Sequence, residues 1–190
     1  MNKKNIALIL AGILIQVLEF TVNIGGARVD IFSDIIAYAL IIIGVMPLVP
    51  RNRLFKKTKN SAIKGLIVSV IVQAVNFYDF GEYASTMDTF TRGLTTIFAI
   101  YVTYYFTESI MLESKRQDKA ALTRNFRITW AVLGIFIFVS YIAFMSNVSI
   151  ASILVQALVL VCTIYYSSVV FTACNQLYME GIPTKKPAAK

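Results

Sequence analysis

The chain reads as an all-α membrane protein, with six transmembrane helices arranged as three helical hairpins, and three observations predict that class. First, sixteen of its eighteen Lys and Arg residues fall into four short segments separated by long apolar runs. The segments are Lys3 and Lys4, Arg51 to Lys64, Lys115 to Arg127, and Lys185 to Lys190. Cationic loops are retained on the cytoplasmic side of a membrane, so their alternation with other turns places both termini inside and predicts six crossings. Second, 57% of the residues are hydrophobic, 15% are charged and mean hydropathy is +0.70, which suits a chain solvated mainly by lipid. Third, the apolar runs approach the ~20 residues that a helix needs to cross a hydrocarbon core of ~30 Å.

Spans are expected near residues 5–23, 31–49, 62–80, 91–112, 128–146 and 149–172. The first is too long for a cleaved signal sequence and no small-residue cleavage pattern follows it, so it is expected to remain in the mature protein. Ile24 to Asp30, Gly81 to Phe90 and Ser146 to Val148 form short outer turns, whereas the inner connections are longer and basic. Hairpins near 5–49, 62–112 and 128–172 result. Gln16-Val17-Leu18-Glu19-Phe20 is echoed by Gln73-Ala74-Val75-Asn76-Phe77, a hint of internal repetition. Residues 1–175 are expected to form one transmembrane domain and 176–190 a flexible cytoplasmic tail, because the Pro, Lys and Ala at the end of the chain bury no apolar surface.

The net charge of +8 lies beside apolar spans, where anionic lipid headgroups are the natural counter-ions, and no nucleic-acid-binding motif accompanies it. The chain has no His, which excludes bis-His haem ligation, His-based zinc hydrolysis and Ser-His proteolysis. Cys162 and Cys174 are twelve residues apart with no Cys-x-x-Cys, the pattern of buried, inert thiols. No enzymatic activity, cofactor or metal centre is expected.

Candidate ligand-binding residues are polar groups in apolar surroundings. Gln16, Glu19 and Asn23 recur with Gly12 at helical spacing on the first span, and Gln73, Asn76 and Asp79 recur on the third. Such groups face lipid only at a cost of a few kcal/mol for an ionised carboxylate, so they are expected to point inward, toward one another or toward water. Asp30, Asp34 and Tyr38 follow at intervals of four on the second span, either as a cap and interfacial anchor or as a ligand-facing stripe. Glu19 carries two readings: a strut bonded to Gln73 or Asn76, or a cation or proton site at the floor of an outward-facing cavity. On the outer side, Glu19, Asp30, Asp34, Asp79, Glu82 and Asp88 oppose only Arg28 and Arg92. Arg92 is expected to pair with Asp79 or Glu82. Tyr101, Tyr104, Tyr105, Phe106, Tyr165 and Tyr166 suggest an interfacial belt with helix contacts. Ala7 and Ala11 permit a close helix approach, within the fold or to another subunit.

The stretch from Val29 to Gly44, with Asp30, Asp34 and Tyr38, followed by Phe55-Lys56-Lys57, resembles a group of small, functionally uncharacterised six-span membrane proteins of Gram-positive bacteria. Ser33 and Ala37 stand where that pattern has Pro and Gly. The resemblance implies a bacterial inner-membrane location and no particular chemistry. Size, span number and inside termini also resemble the substrate-binding components of energy-coupling-factor vitamin importers. Two functional readings follow, with a cation channel as a third that is disfavoured because no filter or pore-lining polar helix runs the full thickness. One is a transport-related protein, either a solute-binding subunit or a small carrier with an outward-facing acidic cavity. The other is a membrane sensor, immunity or assembly protein with a cytoplasmic partner. The expected partners are the lipid bilayer, anionic lipids at the basic loops, and a membrane or cytoplasmic subunit.

Overall fold

A computed structural model describes residues 3–17, 21–24, 27–30, 34–78, 80–146 and 149–179, and these described residues form six α-helices, two short 3-10 turns and one short β-hairpin. Side chains are described for 3–17, 34–78, 80–146 and 152–177. The helices are α1 (Lys3–Val17), α2 (Asp34–Val45), α3 (Arg53–Val75), α4 (Ala84–Arg116), α5 (Ala120–Met145) and α6 (Ser149–Met179). Between α1 and α2, strands β1 (Thr21–Ile24) and β2 (Ala27–Asp30) pair antiparallel.

Local chemistry sets the boundaries. Helix α2 ends ahead of Pro47, which lacks an N–H, and a 3-10 turn Met46–Leu48 follows. Asn52 then caps α3, its side-chain oxygen accepting from the backbone N–H groups of Leu54 at 3.0 Å and Phe55 at 3.1 Å. The turn from α3 to α4 passes through Gly81 at φ +54°, where a glycine meets no Cβ penalty. The turn from α4 to α5 uses Asp118 at φ 53°, a residue type that tolerates the left-handed region.

Consecutive helices pack against each other, α6 returns to α1 to close the ring, and α4 reaches inward to touch both α1 and α6. The seam between α1 and α2 depends on glycine. A Cβ on Gly12 would stand 2.6 Å from the Ala37 carbonyl oxygen, and one on Gly44 would stand 2.6 Å from that of Asn5. Ala7 and Ala11, by contrast, are exposed, so this seam and not the alanine spacing provides the close approach within the fold. At the basic end of the bundle, Asn52 Nδ2 donates to Glu113 Oε1 at 2.7 Å and to the Ser109 carbonyl at 3.3 Å. Glu113 also pairs with Arg116 at 3.1 Å. Gln117 and Lys119 donate to the Leu177 and Gln176 carbonyls at 2.9 and 3.0 Å, satisfying acceptors at the end of α6.

Large aliphatic side chains cover the outside of the bundle as well as its core. Ile43 on α2, Ile67 on α3, Ile135 on α5 and Leu154 on α6 are each more than half exposed. The stretches Ala120–Met145 and Ser152–Leu177 are long and apolar enough to cross a membrane, yet only 22% of each apolar window is buried. The core helix of a water-soluble protein hides most of its surface, and these two do not. Asp34–Leu48 is a shorter apolar helix.

Several expected boundaries move. The run 5–23 does not remain helical to its end, because Thr21, Val22 and Ile24 favour extended backbone and form β1. Asp30 lies in β2 opposite Thr21, so it shares no helical face with Asp34 and Tyr38. The basic segment from Arg51 to Lys64 is mostly the first turns of α3 and not a loop, since Asn52 starts the helix nine residues before the expected span at 62. Helix α6 continues to Met179, beyond the boundary drawn at residue 175, and 180–190 lie outside the described residues.

Candidate functional site

Five helices converge on a partly open cavity of mixed polar and apolar lining near the end of the bundle that carries the β-hairpin. It is lined by Gln16 and Val17 of α1, Asp34 of α2, Thr95, Thr96 and Ala99 of α4, Ile137 and Ser140 of α5, and Gln156 and Val159 of α6. Gln16 sits in the last turn of α1 and Asp34 is the first residue of α2, so the glycine seam brings together two groups that are 18 positions apart in sequence. The cavity volume is about 40 Å³. At 10–15 Å³ per water-sized occupant, that is room for roughly three.

Gln16 is buried, and its Nε2 donates to Tyr38 Oη at 2.6 Å. The Tyr38 ring is fully buried against Gly65 of α3, where any Cβ would collide with the ring carbons. One amide and one phenol therefore join α1, α2 and α3 beneath the cavity. The hydroxyls on the opposite wall bond to their own helices. Thr95 and Thr96 donate to the Arg92 carbonyl at 3.1 and 2.7 Å, and Ser140 donates to that of Ile137 at 2.8 Å. With its proton engaged, each hydroxyl keeps lone pairs for an occupant.

Of the expected ligand residues, Gln16 and Asp34 meet in this cavity. Gln73 and Asn76 do not, because α3 packs between α2 and α4 and contributes nothing to the lining. Asn23 belongs to β1 opposite Arg28, which removes it from the helical face of Gln16. Glu19 and Asp79 lie outside the described residues, and with them the expected bonds from Glu19 to α3 and from Asp79 to Arg92. The Arg92 guanidinium lies 4.2 Å from the centre of the Phe144 ring, a cation–π contact between α4 and α5.

Sequence reasoning missed Thr95, Thr96, Ser140 and Gln156. Gln156 carried a usable signal, standing alone among Leu154, Val155, Ala157 and Leu158. The three hydroxyl residues carried none, since Ser and Thr bond back to their own helix wherever they lie. The aromatic residues divide between roles: Phe106 and Tyr166 are buried, with Tyr166 Oη 2.7 Å from Thr107 Oγ1, whereas Tyr101 and Tyr165 are exposed. Tyr104 packs on Trp130 with ring centres 5.0 Å apart, joining α4 to α5.

A second hollow of about 300 Å³ lies between α5 and α6 toward the basic end, lined by Leu122, Asn125, Phe126, Ser168, Val169, Thr172, Ala173 and Gln176. It is larger and, like the first, partly open at the surface, and no ionisable side chain lines it. Among the described residues, no group of three or more Cys, Asp or Glu side chains is placed to hold a metal ion. The chain matches no family model, and no curated protein or solved structure is significantly similar to it.

Proposed function

We propose that this chain is a small multi-pass protein of a bacterial inner membrane that crosses the bilayer six times, with both termini cytoplasmic, and binds a small solute for transport. The observation that carries this reading is a partly open cavity with six polar side chains in its lining, set between helices whose outer surfaces are aliphatic. Intramembrane polar groups are costly and are usually retained where they line a pathway or site. The basic residues from Arg51 to Lys64 and from Lys115 to Arg127 gather at the opposite end, which suits a cytoplasmic face.

The cavity volume sharpens the transport reading. Sites for drug-sized molecules enclose about 300–1,000 Å³. At about 40 Å³, the cavity suits an ion or a few atoms better than a vitamin. A membrane sensor, immunity or assembly protein is the second reading, favoured by the exposed Arg53, Lys56, Lys57 and Lys64 on the first turns of α3, a surface for a cytoplasmic partner or anionic lipid.

Cysteine accessibility in intact cells tests the topology on which both readings stand. After Cys162 and Cys174 are replaced by Ala, a cysteine at Thr86 is expected to react with an impermeant reagent from outside, and cysteines at Asn60 or Ala189 are not. Labelling of Asn60 from outside would overturn the six-span arrangement.

A further inference from the structure

We propose that the outer face of α3 binds an anionic glycerophospholipid, with its phosphate on Lys57 and Lys64 and its acyl chains along Ile67 and Ile71. The inference rests on the membrane reading and assigns this surface to lipid rather than to a cytoplasmic protein. It starts from an unbalanced helix. α3 carries five bases, Arg53, Lys56, Lys57, Lys59 and Lys64, and no acid. Among the described residues none of the five forms an ion pair. On α4, Glu108 pairs with none of them, and Glu113 is already engaged by Asn52 and Arg116. Cations in the first turn also oppose the positive end of the helix dipole, so a bound anion relieves the repulsion twice over.

Position along the helix chooses the anion. Phe55, Thr58, Ala62, Gly65 and Ser69 are the buried register of α3, which leaves Arg53, Lys56, Lys57, Asn60 and Lys64 exposed on the opposite side. At ~1.5 Å per residue they form a stripe ~16 Å long. The same side continues into Ile67 and Ile71, each more than half exposed. A face that turns from cationic to aliphatic at Lys64 follows the order of a phospholipid, phosphate first and hydrocarbon beyond. Lys64 stands between exposed Ile63 and Ile67, at the hydrocarbon edge, where its long stem reaches the headgroups and a water-borne acidic protein does not. Tyr105 of α4 steadies the neighbouring contact, since Lys57 Nζ lies 5.4 Å from its ring centre. Tyr101, one turn away, stacks on Tyr105 at 6.1 Å and adds a second phenol suited to headgroup level.

The test uses the full chain in a neutral detergent, with bound lipid counted by native mass spectrometry as phosphatidylglycerol or phosphatidylcholine is added. Phosphatidylglycerol is expected to bind about tenfold more tightly and to raise the unfolding midpoint, which phosphatidylcholine leaves in place. Lys57→Gln with Lys64→Gln is expected to weaken binding about fivefold for each lysine removed. Arg124→Gln with Arg127→Gln takes the same charge from the same end of the bundle and is expected to leave the affinity unchanged. If the lysine pair fails to fold, Lys64→Gln alone decides, with about a fivefold loss. Equal affinity for the two lipids, or equal losses from the two pairs of variants, would overturn the proposal. So would the same stabilisation by inorganic phosphate or by polyglutamate, which would point to a free anion or to an acidic protein. Cysteine accessibility separates the two levels. A cysteine at Asn60 reached from outside removes the six-span reading, whereas an inside Asn60 with no lipid preference removes the lipid site alone.

Discussion

Helices α1 and α2 meet through glycine, whereas α5 and α6 meet across an open groove. The first pair is short, 15 and 12 residues, and its backbones approach closely enough that Gly12 and Gly44 leave no room for a methyl group. The last pair is long, 26 and 31 residues, and turns rows of Ile, Leu, Val and Phe outward. At 1.5 Å per residue the first two helices span ~22 and ~18 Å and the last two ~39 and ~46 Å, against a hydrocarbon core of ~30 Å. The difference separates two tasks. Length and apolar surface hold a protein in lipid, while close backbone approach positions polar side chains, and the cavity groups Gln16 and Asp34 come from the short pair.

The largest effect that would break this comparison is a charge placed on the outer surface. Ile135→Lys, near the middle of α5, is expected to cost about 3 kcal/mol in a membrane-insertion assay. Ile43→Lys on α2 is expected to cost a similar amount if the short pair also meets lipid, and close to nothing if it meets water. Next come the glycines. Gly12→Ala is expected to destabilise the folded protein by about 1–3 kcal/mol, because its new Cβ meets the Ala37 carbonyl and the Ile41 side chain. Gly134→Ala on α5 meets nothing nearer than 3.6 Å and is expected to be neutral or to stabilise by up to ~1 kcal/mol through helix propensity. Denaturant titration in mixed micelles compares the two, and equal effects would remove the distinction between the seams.

Asn52→Ala is expected to cost about 1–2 kcal/mol, since it removes the α3 cap and one of the partners of buried Glu113. Asn52→Asp keeps a capping oxygen but places it against Glu113, so it is expected to recover little at neutral pH. The smallest effect is the coupling between Gln16 and Tyr38. A double-mutant cycle with Gln16→Leu and Tyr38→Phe is expected to return about 0.6 kcal/mol, the scale of interhelical hydrogen bonds in membranes.

The pairing of helices was legible in the sequence because charge marks the connections and short turns force antiparallel neighbours. Helix ends were less legible. Apolar run length set the expected boundaries, whereas Asn52, Pro47 and Gly81 set the observed ones through capping and backbone conformation. The β-hairpin had a readable signal in the β-branched runs on either side of Gly25-Gly26, which was absorbed into an apolar span and an outer turn. A third of the polar lining was legible: the rule that polar groups in apolar helices turn inward singled out Gln16, and the four-residue spacing to Tyr38 singled out Asp34. The same rule singled out Gln73 and Asn76 without revealing that α3 stands apart from the cavity. Which helices face one another depends on side-chain fit such as Gly65 under Tyr38, and hydropathy does not encode it.

Spin labels on the exposed aliphatic positions test most directly the proposal that the short pair and the long pair both face lipid. Labels would be placed singly at Ile43, Ile67, Ile135 and Leu154 in proteoliposomes, with Cys162 and Cys174 replaced by Ala, and their collisions with oxygen and with a water-soluble nickel chelate compared. All four positions are expected to favour oxygen, the signature of a lipid-facing side chain. Oxygen preference at Ile135 and Leu154 alone, with Ile43 and Ile67 open to nickel, would contradict the six-span account and leave a bundle anchored only by α5 and α6.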